Sequence, residues 1–541
     1  MRDYTCFALP VKYMSSDRRF LPTIGQSAGL SRPGTASVTL RAVRTELREA
    51  VGRLRTAVAR DAAADGLDAH QVAAGHLAWA VARAEAAEAC LAWAGETGDP
   101  LAAAIAEVAA VEALAFAEGR SIELPALGAE RLTGILAGYR PVEDLGASAE
   151  HRLLRATLRD FAEREVRPRA QAVHRQDLDV PEEIIRGVAA LGLFGLSVPE
   201  AYGGAQGQEP DFRAMLIATE ELSRASLAAG GSLITRPEIL VRALLRGGTE
   251  AQRREWLPPI ASGEKLVAVA VTEPDHGSDV AAISCRATRR PDGDWEITGS
   301  KLWCTFAGRS ELLMILCRTS DAGHRGQSVF VIDKPAFAGH RFEHRQPGGG
   351  VLQGRAIPTI GYRGMHTFEL AFDRYRVPAS GLLGGDEWLD RGFYLQMEGF
   401  AVGRIQTAAR AVGAMQAALE DALGYARERT VFGRAIAGHQ LPGAMLGAMI
   451  ARVSASRQLG YRAAGLLDGG GGQMESSLAK LHASRAAETV TRDAVQLHGA
   501  MGYGEETDVS RYFVDARVLS IFEGTEEVLA LRVIARSLID R

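Results

Sequence analysis

The stretch Ile521-Phe-Glu-Gly-Thr-Glu-Glu-Val-Leu529 places one carboxylate, Glu523, between two bulky apolar residues and a glycine. Thr525, Glu526 and Glu527, ahead of an apolar run, read as a helix N-terminus, where a hydroxyl and acidic groups offset orphan N–H groups and the helix dipole. Glu523 lies outside that helix. Taken alone it reads as a solvated loop carboxylate; burial would raise its pKa toward neutrality and make it a useful base. Upstream, VAVTEPDHGSD (Val269–Asp279) gathers Thr272, Gly277 and Ser278. These offer hydroxyls, backbone N–H groups and close approach to a polar ring edge or a phosphate, or else a plain turn. In GSKLWCTFAG (Gly299–Gly308), Trp303 is large and flat, suited to core packing or to covering a planar ring, and Thr305 carries a hydroxyl two residues on. Arg429 in RERTVFGRAIAGHQ suits bidentate phosphate contact or a helix-surface charge.

Groups so far apart in sequence need a large scaffold to meet. At 541 residues the chain is too long for one core, and three or four domains are expected. It is 47% hydrophobic and 24% charged with a net charge of -4, which argues against nucleic acid or an anionic membrane as main partner. No uninterrupted apolar run approaches the roughly 20 residues needed to span a bilayer. Five scattered cysteines, Cys6, Cys90, Cys285, Cys304 and Cys317, show no metal-ligand spacing and fit reduced thiols in a cytoplasm, with no metal expected.

The pattern along the chain gives five segments. Residues 1–37 lack the apolar core of a signal peptide and read as a disordered leader. Residues 38–148 are a helical extension rich in Ala, Leu, Arg and Glu, with Asp68 as the expected N-cap of its second helix. Residues 149–265 are helical, broken by the glycine-rich loop PEAYGGAQG. Residues 266–385 form a β-domain, because WEITGSKLWCTF, SVFVID and HTFELAFDRYRV alternate with a period of two. Residues 386–541 return to helical periodicity as a bundle, with the tetraglycine Gly469–Gly472 between two long helices.

This order and five separated stretches, VAVTEPDHGSD, GSKLWCTFAG, RERTVFGRAIAGHQ, AVQLHGAMGY and IFEGTEEVL, resemble the acyl-CoA dehydrogenase family over about Ala149 to Arg541. The resemblance implies a mainly α fold with an N-terminal helical domain, a middle β-barrel and a C-terminal four-helix bundle, to which the extension is added. It implies one non-covalent FAD per subunit. Thr272, Gly277, Ser278, Trp303 and Thr305 would hold it, and Arg429, Phe432 and Gln440 would reach it from a neighbouring subunit beside Gln496 and Gly499, with Thr525 and Glu527 as further contacts. No GxGxxG fingerprint follows a first strand, so a Rossmann flavin site is not expected. Glu523 would remove the α-proton of a CoA thioester whose carbonyl is polarised by preorganised donors. Ser278, Arg404 and Gly524 would contact the thioester. Some relatives carry the base directly before the arginine matched by Arg404; that position is Gly403 here, so Glu523 is the candidate left.

Departures from the family pattern are Asp275-His276 in the flavin loop, Ala401 where many relatives carry an acid, and Glu527 where glutamine is common. The extension, with GGSLITRPEIL, GYRGMHTFELAFD and RIQTAARAVG, resembles members that convert (2S)-methylsuccinyl-CoA to mesaconyl-CoA. A chain ending in a carboxylate needs a buried cation, expected to be Arg236 at the end of a helix, with Arg363 and His498 as alternatives. The resemblance also implies an electron-transferring flavoprotein as acceptor, and a homodimer rather than a tetramer because the extension would cover surface that pairs two dimers. A general short- or branched-chain dehydrogenase, an acyl-CoA oxidase and a non-catalytic DNA-protecting or scaffold member remain open alternatives.

Overall fold

The computed structural model describes residues 40–120, 127–141 and 144–539. The leader and Cys6 lie outside the described residues. The extension comprises α1 (Leu40–Asp65), α2 (Gln71–Thr97), α3 (Pro100–Ala117) and α4 (Ala129–Ala137). Asp68 does not cap α2. Gly66, at φ 84°, ends α1 and leads into a short 3₁₀ turn, Leu67–His70, that absorbs Asp68, so His70 takes the cap position. The α3 start is capped as its chemistry dictates: the Asp99 carboxylate accepts from the N–H groups of Leu101 and Ala102, with Pro100 at the first position. By length and composition α3 is apolar enough to cross a membrane. Here Leu101, Ile105 and Val108 are buried in the core shared with the C-terminal helices, and Glu107 and Glu112 pair with Arg131 and Arg452 at 2.7 and 2.8 Å.

The next helices are α5 (Ala149–Phe161), α6 (Arg167–Gln176), α7 (Glu182–Ala190), α8 (Phe212–Ala225), α9 (Thr235–Gly247) and α10 (Glu250–Ala261). They lead into one curled sheet of eight strands: β1 (Val267–Ala270), β2 (Arg286–Arg289), β3 (Trp295–Thr305), β4 (Leu312–Arg318), β5 (Gln327–Asp333), β6 (Arg341–Arg345), β7 (Val351–Ala356) and β8 (Thr367–Val377). The order is β1-β4-β2-β3-β8-β7-β6, with β5 also paired to β4. The β3–β8 register slips between Lys301 and Cys304, and this bulge carries Trp303.

The bundle is built on α11 (Gly392–Glu428), α12 (Gln440–Asp468), α13 (Gln473–His498) and α14 (Asp508–Ala516), and the tetraglycine joins α12 to α13. Glycine permits two close approaches. A Cβ at Gly413 would stand 2.3 Å from the Glu220 carbonyl of α8, and one at Gly447 would stand 2.1 Å from the Leu132 carbonyl of α4. The extension therefore docks on the bundle through backbone contact as well as a common core. That core includes Leu77 and Val81 of α2 with Leu478 and Leu481 of α13.

Candidate active site

Glu523 sits where the chain turns between the 3₁₀ turn Arg517–Ser520 and the short C-terminal helix starting at Glu526. It is left-handed at φ 55°, followed by Gly524 at φ 94°. Such a conformation is strained for a residue with a Cβ and persists only where its surroundings over-determine it. Three contacts fix this turn. Thr525 Oγ1 accepts from Val528 N at 3.3 Å, Glu526 pairs with Arg485, and the buried Lys480 ammonium donates to the Gly524 carbonyl at 2.6 Å.

The Glu523 carboxylate then faces α11. Its Oε2 is buried without a hydrogen bond, and a Cβ built on Gly403 would come within 2.7 Å of it. Gly403 and the Glu523 carboxylate thus converge on one point. The neighbouring Arg404 donates to Ser477 Oγ at 3.4 Å, while its Nε has no partner. Burial pulls the Arg404 guanidinium below its ordinary range, partly offset by the Glu523 charge.

Beyond Phe522 lies a second group of cations. Arg236 and Arg410 both donate to the Tyr362 hydroxyl, at 2.9 and 3.4 Å. Both guanidiniums are buried, Arg410 completely. Arg410 also donates to Thr407 Oγ1 at 2.7 Å and to Ser232 Oγ at 3.4 Å, and it lies 4.5 Å over the Phe522 ring. Tyr362 meets Phe522 edge-on at 5.6 Å, and its backbone N–H is held by Asp515 at 2.7 Å. Among the described residues, neither arginine has a carboxylate within ion-pair distance. Burial, with the like charge of Arg236 against the relief from Tyr362 and Glu523, lowers the Arg410 pKa.

Arg236 opens α9 rather than ending a helix. Pro237 sits in the first turn, where the missing N–H has no intrahelical partner in any case. Of the alternatives, Arg363 spends its donors on the Thr359 and His174 carbonyls, and His498 stacks on Tyr425 at 4.3 Å. Arg410, Tyr362 and Lys480 were not singled out from the sequence. The available signal was an arginine inside the apolar run of α11 and a lone lysine inside SSLAKL.

On the β-domain, Trp303 stands out of the sheet at φ 60° and is 54% exposed, so it is not core. The Leu302 N–H donates to the Thr272 carbonyl at 2.8 Å, which places the Thr272 loop beside the Trp303 bulge. The Thr305 hydroxyl lies 3.1 Å from that of Thr367. Gly277 and Ser278 are exposed on the same loop, and Asp275-His276 forms a tight turn closed by reciprocal backbone bonds between Glu273 and His276 at 2.9 and 3.2 Å. Beneath it is a buried ion pair that sequence reading missed. Lys301 Nζ donates to Glu273 Oε1 at 2.8 Å, and the Glu273 carboxylate accepts from the N–H groups of Ser284 and Cys285. An exposed flat ring on a bulge, with the exposed Gly277 and Ser278 on the loop bonded beside it, fits the isoalloxazine of a flavin.

Arg429, Phe432, Gln440, Gln496 and Gly499 are exposed at the far end of the bundle, Phe432 at 96%. Among the described residues no hydrogen bond joins this group to the Trp303 face. Glu527 lines a recess with Gln71, Val72, Gly75 and Trp79 of α2, so within this chain it faces the extension rather than the β-domain. The cause is α2, which packs on the C-terminal helix around Leu529–Ala535.

Three family models match: the acyl-CoA dehydrogenase N-terminal domain over residues 148–264, the middle domain over 268–375 and the C-terminal domain over 390–539. The chain is 40% identical over 400 residues to (2S)-methylsuccinyl-CoA dehydrogenase of Cereibacter sphaeroides, covering 73% of this chain and 70% of that one. It is 33% identical to the caffeyl-CoA reductase-Etf complex subunit CarC of Acetobacterium woodii, over 70% of this chain and 96% of the relative. Butyryl-CoA dehydrogenase of Megasphaera elsdenii superposes with a TM-score of 0.67 at 29% identity, over 73% of this chain and 99% of that structure. The chain belongs to the acyl-CoA dehydrogenase family of FAD-dependent oxidoreductases.

Proposed function

We propose that the enzyme dehydrogenates a short, branched acyl-CoA whose chain ends in a carboxylate, (2S)-methylsuccinyl-CoA, to mesaconyl-CoA, a step of the ethylmalonyl-CoA route. The observation that carries this reading is the pair of buried guanidiniums, Arg236 and Arg410, which share the Tyr362 hydroxyl and have no carboxylate partner among the described residues. Two unpaired cations out of water cost several kcal/mol, and a ligand carboxylate completes both. The name of the Cereibacter relative supports the same substrate.

In this reading Glu523 takes the α-proton. Its Oε2 is free of hydrogen bonds and buried, so a lone pair is available and water is kept off. Phe522 separates the base from the arginine pair, leaving the acyl chain to bridge the two. Gly524 gives the thioester room, while Arg404 and Ser278 contact the CoA portion. FAD, held by Thr272, Gly277, Ser278, Trp303 and Thr305 with Thr525 nearby, supplies the acceptor for the β-hydride.

The exposed set Arg429, Phe432, Gln440, Gln496 and Gly499 completes the flavin site of a second copy, which makes the active form a homodimer. The extension covers α12 and α13 and disfavours further pairing. The CarC relative, a subunit of an Etf complex by name, supports an electron-transferring flavoprotein as acceptor. Free thiols at Cys90, Cys285, Cys304 and Cys317 support a cytoplasmic setting. The test is anaerobic flavin bleaching and steady-state turnover across a panel of CoA thioesters. Methylsuccinyl-CoA should give the highest kcat/KM; preference for a neutral acyl-CoA of equal length overturns the substrate assignment.

A further inference from the structure

Lys480 is completely buried on α13, and burying an ammonium is costly unless it is paired and hydrogen-bonded. Its Nζ has one hydrogen bond described, to the Gly524 carbonyl at 2.6 Å. That carbonyl belongs to the residue directly after Glu523, in a turn where both residues have positive φ. On the other side of the turn, the Glu523 carboxylate is held by packing against Gly403 and not by any hydrogen bond to Oε2. The ammonium therefore bonds the main chain directly after the base, at Gly524 itself, while Thr525 and Glu526 fix the turn further on.

We propose that Lys480 is a positioning residue for the base: it pins the Gly524 carbonyl, and so fixes the left-handed turn from which Glu523 is aimed, and it places a positive charge beside the carboxylate. This rests on the reading of Glu523 as the base. The charged groups facing Lys480 are Glu523 and Glu526 from the C-terminal turn and Arg404 and Arg410 from α11. Burial first, and then the two arginines, lower the Lys480 pKa to about 7 against the pull of the two glutamates. The ammonium and the Glu523 carboxylate attract each other across the turn.

The experiment is anaerobic single-turnover flavin reduction by acyl-CoA, across pH, in the FAD-loaded enzyme and in Lys480→Met, Lys480→Gln and Lys480→Arg. Lys480→Met should keep its FAD and lose about 10- to 100-fold in the reduction rate, the scale of a misplaced catalytic group. The acidic limb of its pH profile should move up, because the neighbouring positive charge is gone. Lys480→Arg should recover much of the rate and restore the limb. Lys480→Gln keeps a donor without the charge, so it should move the limb upward with a smaller rate loss than Lys480→Met. It also serves if Lys480→Met fails to fold. Wild-type rate and limb in Lys480→Met, or an equal loss at every pH that Lys480→Arg does not repair, overturn the proposal. If Glu523→Gln reduces flavin at the normal rate, it is the base assignment that fails, whatever Lys480 does.

Discussion

Gly403 and Glu523 share one point in space: a Cβ on the glycine would lie 2.7 Å from the glutamate Oε2. That contact is too short to keep, and the flexible carboxylate end is what must move. Gly403→Ala is expected to fold and bind FAD while slowing flavin reduction, because it displaces the base without removing it. Glu523→Gln should retain FAD and acyl-CoA binding and lose on the order of 10²- to 10⁴-fold in turnover, since the amide cannot take a proton. Rapid-reaction flavin reduction measures both, and an unimpaired Glu523→Gln would mean that another group is the base.

The Arg236–Tyr362–Arg410 cluster predicts a switch in specificity. Arg410→Met should lose about 10²-fold or more in kcat/KM with methylsuccinyl-CoA, the cost of leaving a buried charge without its partner, and keep activity with a neutral acyl-CoA of similar length. The free protein should behave oppositely. Removing one of two unpaired buried cations relieves desolvation, so the urea midpoint should hold or rise. Equal losses on both substrates would show that the arginine is structural.

The main fold was legible from residue patterns because the β-domain alternates with a period of two and the glycine clusters fall in loops. The glutamate turn was legible from a local motif. What stayed hidden depends on tertiary approach. Arg410 and Arg236 lie 174 residues apart and meet only because α11 and α9 pack around Tyr362. The Glu273–Lys301 pair is likewise invisible until β3 pairs back onto the loop after β1. Asp68 misled because its cap chemistry was sound but Gly66 had already redirected the backbone. Arg236 was assigned to the wrong end of a helix, since Pro237 stops a helix in one reading and starts one in the other.

His482 on α13 gives a prediction about pH and the docking of the extension. Loss of water and the like charges of Arg83, on α2, and Arg452 push its pKa down to about 3. The folded pKa is below the unfolded value near 6.5, so the unfolded chain binds more protons between those limits. Stability is therefore lost as pH falls below about 6.5, by about 2 kcal/mol at pH 5 from this group. Urea unfolding at pH 7 and 5 should show this loss reduced in His482→Gln. An unchanged pH dependence would place the acid sensitivity elsewhere.

Self-association should be tied to flavin retention. Phe432 is 96% exposed on the two-stranded hairpin after α11, a position that makes sense when a second copy covers it. Light scattering should report a dimer for the FAD-loaded enzyme. Phe432→Asp should shift the population toward monomer and weaken FAD binding together. A monomer that keeps its FAD and full activity contradicts the shared site.

The ion pair under the flavin loop separates stability from cofactor binding. Lys301 is fully buried and Glu273 nearly so, with the ammonium also held by the Val271 carbonyl at 3.0 Å. Lys301→Met leaves the Glu273 carboxylate buried with only its N–H and hydroxyl donors, and breaking such a pair costs about 3–5 kcal/mol. Adding Glu273→Leu removes the orphaned charge and should recover much of that loss. It should not recover the cofactor: Glu273 also ties the loop to the Ser284 and Cys285 segment ahead of β2, and without it the loop carrying Thr272, Gly277 and Ser278 loses that anchor and keeps the Leu302–Thr272 backbone bond to β3. The double variant is therefore expected to unfold near the wild-type urea midpoint yet bind FAD more weakly, as read by equilibrium titration of the apoprotein. If stability and FAD affinity recover together, the pair supports the fold alone and the loop is positioned by something else.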